Sequence, residues 1–120
     1  MSNEFLDYVE DILDAMEKAE IMLEGITFEE FVNNFRINFV VVRALEIVGE
    51  ATKRLPLSLR RQYPDIPWKR MAGMRDRIIH GYDAVDYEVV WDAVKQEIPQ
   101  VKPHLEQILR DYADKDPLNE

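Results

Sequence analysis

The chain of 120 residues has no cysteine, which excludes a disulfide scaffold, a thiolate zinc site, an iron–sulfur cluster and thiol catalysis. Its four glycines stand far apart, and neither G-x-G-x-x-G nor G-x-x-x-x-G-K occurs. The common phosphate-cradling loops are therefore absent. Histidine is scarce too: His80 and His104 are too distant for an H-x-x-x-H zinc pair, and Arg77 and Val101 stand where Glu-x-x-His pairs of a carboxylate-bridged bundle need glutamate. No metal site and no cofactor is expected. Long apolar runs are missing as well. The most apolar stretch, from Ile37 to Val48, is interrupted by Asn38, Arg43 and Glu46 and is too short and too polar to span a bilayer. The first ten residues carry acids where a secretory signal carries bases before an apolar stretch. A cytoplasmic chain with no membrane partner is the expectation.

No segment alternates with period two, whereas apolar residues recur at three- and four-residue steps, so the fold class is all-α. With 47% hydrophobic and 32% charged residues, the composition is that of a globular helical protein with a charged surface. At this length it forms a single domain over 1–120 that buries about two thirds of its surface. Phe5, Tyr8, Val9, Ile12, Met16, Ala19 and Leu23 mark a first helix, ended by Gly25. Thr27 with Glu30 three residues on is a capping-box signature. From there Phe28, Phe31, Val32, Phe35, Phe39, Val42, Leu45 and Val48 predict one long second helix to about Leu55, stopped by Pro56. Between Ile37 and Val48 it is apolar on more than one face, which suits either the bundle centre or a partner subunit.

Leu57 to Tyr63 reads as a short helical turn, and Pro67 suits the first position of a third helix burying Trp68, Met71, Met74 and Ile78. Gly81 is expected to close it. Asp86 is a good N-cap for a fourth helix, whose stripe Val90, Val94, Ile98, Val101, Leu105, Ile108 and Tyr112 runs across Pro99 and Pro103 and predicts a kink or break. The sum is an up-and-down bundle of four to five helices with a frayed acidic tail from about Asp114.

The net charge of −9 hides a segregation: residues 1–30 carry ten acids and one base, residues 36–80 ten bases and four acids, and residues 81–120 four bases and ten acids. Such asymmetry points to a local field able to attract phosphate, or to a basic helix neutralised by acidic neighbours. Within the basic segment, Arg75, Asp76, Arg77, His80 and Tyr82 form the one polar-reactive cluster. On a continuous helix a five-residue step turns about 140° net, so Arg75 and His80 would not share a face. If the helix ends near Ile79 and Gly81 turns left-handed, His80 can swing out to meet Arg75. The plainer readings are a histidine at a helix C-terminus, arginines paired with Asp76 or the acidic first helix, and Tyr82 as a rim residue.

Arg75, His80 and Tyr82 in the spacing R-x4-H-x-Y, with the following Asp83-Ala84-Val85-Asp86-Tyr87-Glu88-Val89-Val90-Trp91, resemble the HepT-like branch of the HEPN families. The strings Ala44-Leu45-Glu46-Ile47-Val48-Gly49-Glu50-Ala51 and Pro67-Trp68-Lys69-Arg70-Met71-Ala72-Gly73-Met74-Arg75 are similar to the same family, so the likeness covers about residues 27–110. The resemblance implies an all-α homodimer acting as the toxin of a type VII-like toxin–antitoxin module. It further implies an endoribonuclease that cuts RNA without a metal, and a nucleotidyltransferase antitoxin that transfers AMP to Tyr82. Cutting RNA through its own 2′-hydroxyl needs a base, an acid for the leaving oxygen and cationic donors for the phosphate. Imidazole suits the first two roles, so His80 is the catalytic candidate with Arg75, and Asp76 and Arg77 are supporting or phosphate-binding residues. A two-fold dimer bringing two motifs together would supply both base and acid. The alternative is a non-catalytic subunit that binds RNA or nucleotide for a partner nucleotidyltransferase.

Overall fold

The structure is a computed structural model that describes residues 4–114. The expected acidic tail beyond Asp114 lies outside the described residues. All regular structure among them is helical, apart from one isolated antiparallel bridge between Ile79 and Val85. The central helix α1 (Phe5–Leu23) turns Val9, Ile12, Met16, Ala19 and Leu23 into the core. It ends before Gly25, whose φ of 73° is the left-handed conformation that glycine adopts without a Cβ clash. The capping box of α2 (Phe28–Asn33) forms as expected: Glu30 N–H donates to Thr27 Oγ1 at 3.1 Å, and the Thr27 N–H reaches back to Glu30 Oε1 at 3.4 Å.

The single long second helix expected from the apolar stripe is instead two. Asn34 is extended (φ −117°, ψ 100°), and α3 (Phe35–Lys53) starts afresh after it. Side-chain chemistry makes the break: Asn34 Oδ1 accepts from Arg36 N–H at 3.0 Å, and Asn38 Nδ2 donates to the terminal carbonyls of Phe31 and Val32 at 3.2 and 3.1 Å. These bonds satisfy groups a helix end would leave orphaned. The break also rotates the stripe. Val41, Val42, Leu45 and Val48 enter the core, while Phe35 and Phe39 are left 64% and 70% exposed.

Helices α4 (Leu57–Gln62), α5 (Trp68–Ala72) and α6 (Met74–Ile78) follow. Tyr63 Oη donates to Asp111 Oδ2 at 2.7 Å, and burial together with this bond pushes its phenol above the ordinary range. Pro67 sits one position earlier than expected, as the residue capping α5. The third helix is divided at Gly73, yet Trp68, Met71, Met74 and Ile78 are all buried as the stripe predicts. There α3 approaches so closely at Gly49 that an added Cβ would stand 3.3 Å from Met74 Cβ and 3.4 Å from the Met71 carbonyl.

Asp86 caps α7 (Tyr87–Asp92) by accepting from Val89 N–H at 3.2 Å. A π-helical turn over Ala93–Glu97 then leads into α8 (Ile98–Asp114). This turn is the form taken by the expected distortion. Pro99 has no N–H and its ring crowds the carbonyl four residues back, so a wider turn relieves it, and α8 runs through Pro103. Contacts place α1 antiparallel to both long neighbours: Tyr8 lies against Arg54 after α3, Phe5 meets Tyr112 at 5.1 Å, and Glu20 pairs with Lys102 at 2.8 Å.

The π turn presents Glu97 to Arg70 at 2.8 Å and Arg77 at 2.6 Å, locking α5 and α6 against it. Burial works against the Glu97 charge, but the hydrogen bonds and charges of the two guanidinium groups outweigh it and hold its carboxyl below the ordinary range. A depressed carboxyl adds stability above its unfolded pKa and loses it as pH falls through the folded value. The melting temperature of the wild type should thus fall more steeply than that of Glu97→Gln between about pH 5 and about pH 3. Parallel curves would show that Glu97 contributes nothing to acid stability.

Candidate functional site

The R-x4-H-x-Y segment begins on α6 and leaves it at Ile78, within one residue of the end near Ile79 that lets His80 swing out. Ile79 is extended (φ −118°, ψ 121°) and pairs with Val85, as suits two β-branched residues. Around this bridge Asp86 N–H donates to the Ile78 carbonyl at 2.8 Å and His80 N–H to the Ala84 carbonyl at 2.7 Å. The result is a tight loop over 80–84. Gly81 has φ +146°, a conformation other residues rarely adopt and outside the left-handed helical basin expected for it.

The loop gives the motif residues different neighbours. Arg75 is exposed on α6 and lines a cleft of about 330 Å³ with Glu46, Tyr82 and Tyr87, walled on the α3 side by Asn38 and Val42. His80 is not among the cleft-lining residues. It turns instead toward Asp86, with Nε2 4.0 Å from Asp86 Oδ2 and a side chain 57% exposed. Within one chain His80 faces Asp86, while Arg75 and Ile79 line the cleft. The cause is the extended Ile79, since successive side chains along extended backbone face opposite ways. Asp86 was legible only as an N-cap. Its two oxygens divide the work, Oδ1 capping α7 and Oδ2 facing the imidazole.

Asp76 is exposed, and Tyr82, at 101% relative exposure, projects fully into solvent. Arg77, expected to bind phosphate, has its guanidinium committed to Glu97. Two other bases of this segment are neutralised in the same way, Arg70 by Glu97 at 2.8 Å and Arg43 by Glu50 at 3.4 Å. Arg75 makes no ion pair among the described residues. Beside the cleft lies an apolar groove of about 590 Å³ between α1 and α3, lined by Phe39, Val40, Ala44 and Ile47 with Asp14 and Arg43 at its edges. Phe39 borders both spaces. Among the described residues no three side chains of the His, Cys, Asp or Glu type are grouped as a metal ion would require, and no helix is long and apolar enough to cross a membrane.

Comparison with known proteins adds an independent line. A sequence model of the family described as "Ribonuclease HepT-like" matches residues 12–108. "Putative RNase MJ1216" of Methanocaldococcus jannaschii is 45% identical over 109 residues, covering 91% of this chain and 90% of its own. "Probable ribonuclease HepT" of Thermococcus cleftensis is 44% identical over 108 residues, covering 90% and 98%. "Putative RNase TTE0752" of Caldanaerobacter subterraneus is 41% identical over 103 residues, covering 86% and 92%. No solved structure matches the chain.

Proposed function

Because the chain belongs to the HepT-like ribonuclease family, we propose that it is an endoribonuclease that cuts RNA by attack of the 2′-hydroxyl on the adjacent phosphorus, with no metal. Arg75 grips the scissile phosphate through its planar fork. The His80 imidazole takes the 2′-hydroxyl proton or gives one to the leaving 5′-oxygen, and Asp86 orients it. Asp76, a supporting residue, lies exposed one residue along α6. Arg77 acts at one remove, by fixing α6 through Glu97.

The observation that carries this reading is the side-by-side arrangement of an unpaired Arg75, a His80–Asp86 pair and an exposed apolar face on α3. One protomer offers one imidazole, and cutting calls for both a base and an acid. Phe35, Phe39 and Val40 leave an apolar patch in water, which a second copy would cover. A two-fold dimer formed there brings two motifs to one cleft. In the cell the enzyme acts in the cytoplasm as the toxin of a two-gene module, restrained by a nucleotidyltransferase.

Cutting should persist in excess EDTA and leave 2′,3′-cyclic phosphate or 3′-phosphate ends on the RNA, and the protein should sediment as a dimer. Activity that EDTA abolishes and magnesium restores would replace this mechanism with a carboxylate–metal one, and a monomer at micromolar concentration would remove the two-histidine site.

A further inference from the structure

The cleft beside Arg75 contains two polar side chains that the cleavage chemistry leaves unused. Asn38 is only 4% exposed, and its two amide hydrogens are spent on the Phe31 and Val32 carbonyls. Its Oδ1 receives no hydrogen bond among the described residues. Glu46 is half-buried on the same helix and makes no ion pair among the described residues, although Arg75 lines the same cleft. Asn38, Val42 and Glu46 recur every four residues, so they form one row along α3 about 12 Å long, with Val85 and Tyr87 among the cleft's other lining residues. A volume of about 330 Å³ falls within the range of small-ligand sites, about 300–1,000 Å³.

We propose that this cleft is a nucleobase subsite selective for guanine, with the Glu46 carboxylate accepting hydrogen bonds from N1–H and N2–H of the base. The proposal rests on the ribonuclease reading for its substrate and adds the base that the site selects. Apart from Arg75 and the Tyr82 and Tyr87 hydroxyls, the polar side-chain atoms of the cleft are the acceptors Asn38 Oδ1 and the Glu46 carboxylate, so the Glu46 end favours a donor-rich edge. Guanine alone presents two adjacent N–H groups that match the two oxygens of a carboxylate. Adenine and cytosine set a ring nitrogen lone pair beside their amino group, and uracil flanks its one N–H with carbonyls; each would face the carboxylate with repulsion. The flat base lies between Val42 and the Tyr87 side, Asn38 Oδ1 accepts from a ribose hydroxyl at the far end of the row, and Arg75 holds the phosphate.

Wild-type protein and Glu46→Gln are titrated with the 3′-monophosphates of guanosine, adenosine, cytidine and uridine, and cut sites are mapped on an RNA of random sequence. The wild type should bind 3′-GMP about tenfold more tightly than the others and cut after guanine. In Glu46→Gln the side-chain amide offers one donor and one acceptor, so the preference should move toward adenine and cytosine while the melting temperature stays unchanged. Equal binding of all four nucleotides, no binding, or an unaltered guanine preference in Glu46→Gln would overturn the proposal. Guanine-selective binding without RNA cutting would keep the subsite and defeat the ribonuclease mechanism. Cutting spread evenly over the four bases would do the reverse.

Discussion

Alanine at His80 is expected to lower RNA cutting by about 10²–10⁴-fold, the usual share of a positioned general acid or base, without lowering the melting temperature. The imidazole is 57% exposed and faces the Asp86 carboxylate at 4.0 Å, so its removal leaves neither a cavity nor an orphaned buried group. Asp86→Asn separates orientation from folding, because asparagine is as good an N-cap as aspartate and keeps the bond from Val89 N–H. It removes the charge that faces the ring. A positioning role predicts a fall in kcat with KM and melting temperature unchanged, a split that a purely structural Asp86 would not produce. Full cutting by His80→Ala, measured on the same RNA under the same salt, would take the catalytic role away from this residue.

What the sequence made legible was local. The stripe of α1, the Thr27–Glu30 capping box and the Asp86 N-cap each depend on residues within a turn or two of one another, and each is found. The breaks at Asn34 and Gly73 were not legible, because the apolar period passes through both. At Asn34 the deciding bonds come from Asn38, four residues on, reaching back across the gap. At Gly73 the close approach of α3 is a tertiary fact. The same division holds for the candidate site. Arg75, His80 and Tyr82 stood out as a string, but the pairing of His80 with Asp86 depends on the loop closed by Ile79 and Val85. Asn38 and Glu46 join Arg75 only when α3 docks on α6. Glu97, which occupies Arg77, lies on a π turn that the prolines hinted at and no pattern specified.

Transfer of one AMP to Tyr82 is expected to silence the enzyme. Tyr82 stands at 101% relative exposure in the loop after Gly81, where a second enzyme can reach its hydroxyl without unfolding anything. In the transfer, the phenolic oxygen attacks the α-phosphorus of ATP, its proton passes to a base of the nucleotidyltransferase, and the bond to the β-phosphate breaks to release pyrophosphate. The product is a phosphodiester bearing one negative charge. Because Tyr82 and Arg75 line the same cleft, that charge can pair with the Arg75 guanidinium in place of the substrate backbone. The adenosine attached to it then blocks the mouth of the cleft. Inhibition thus combines occupation of the phosphate site with exclusion of RNA, and its effect should approach complete loss of cutting. Incubation with the nucleotidyltransferase and ATP, followed by mass spectrometry of peptides and an RNA-cutting assay, tests both parts. Tyr82→Phe should gain no adenylate and escape silencing; adenylate on another residue, or undiminished cutting by protein modified at Tyr82, would defeat the proposal.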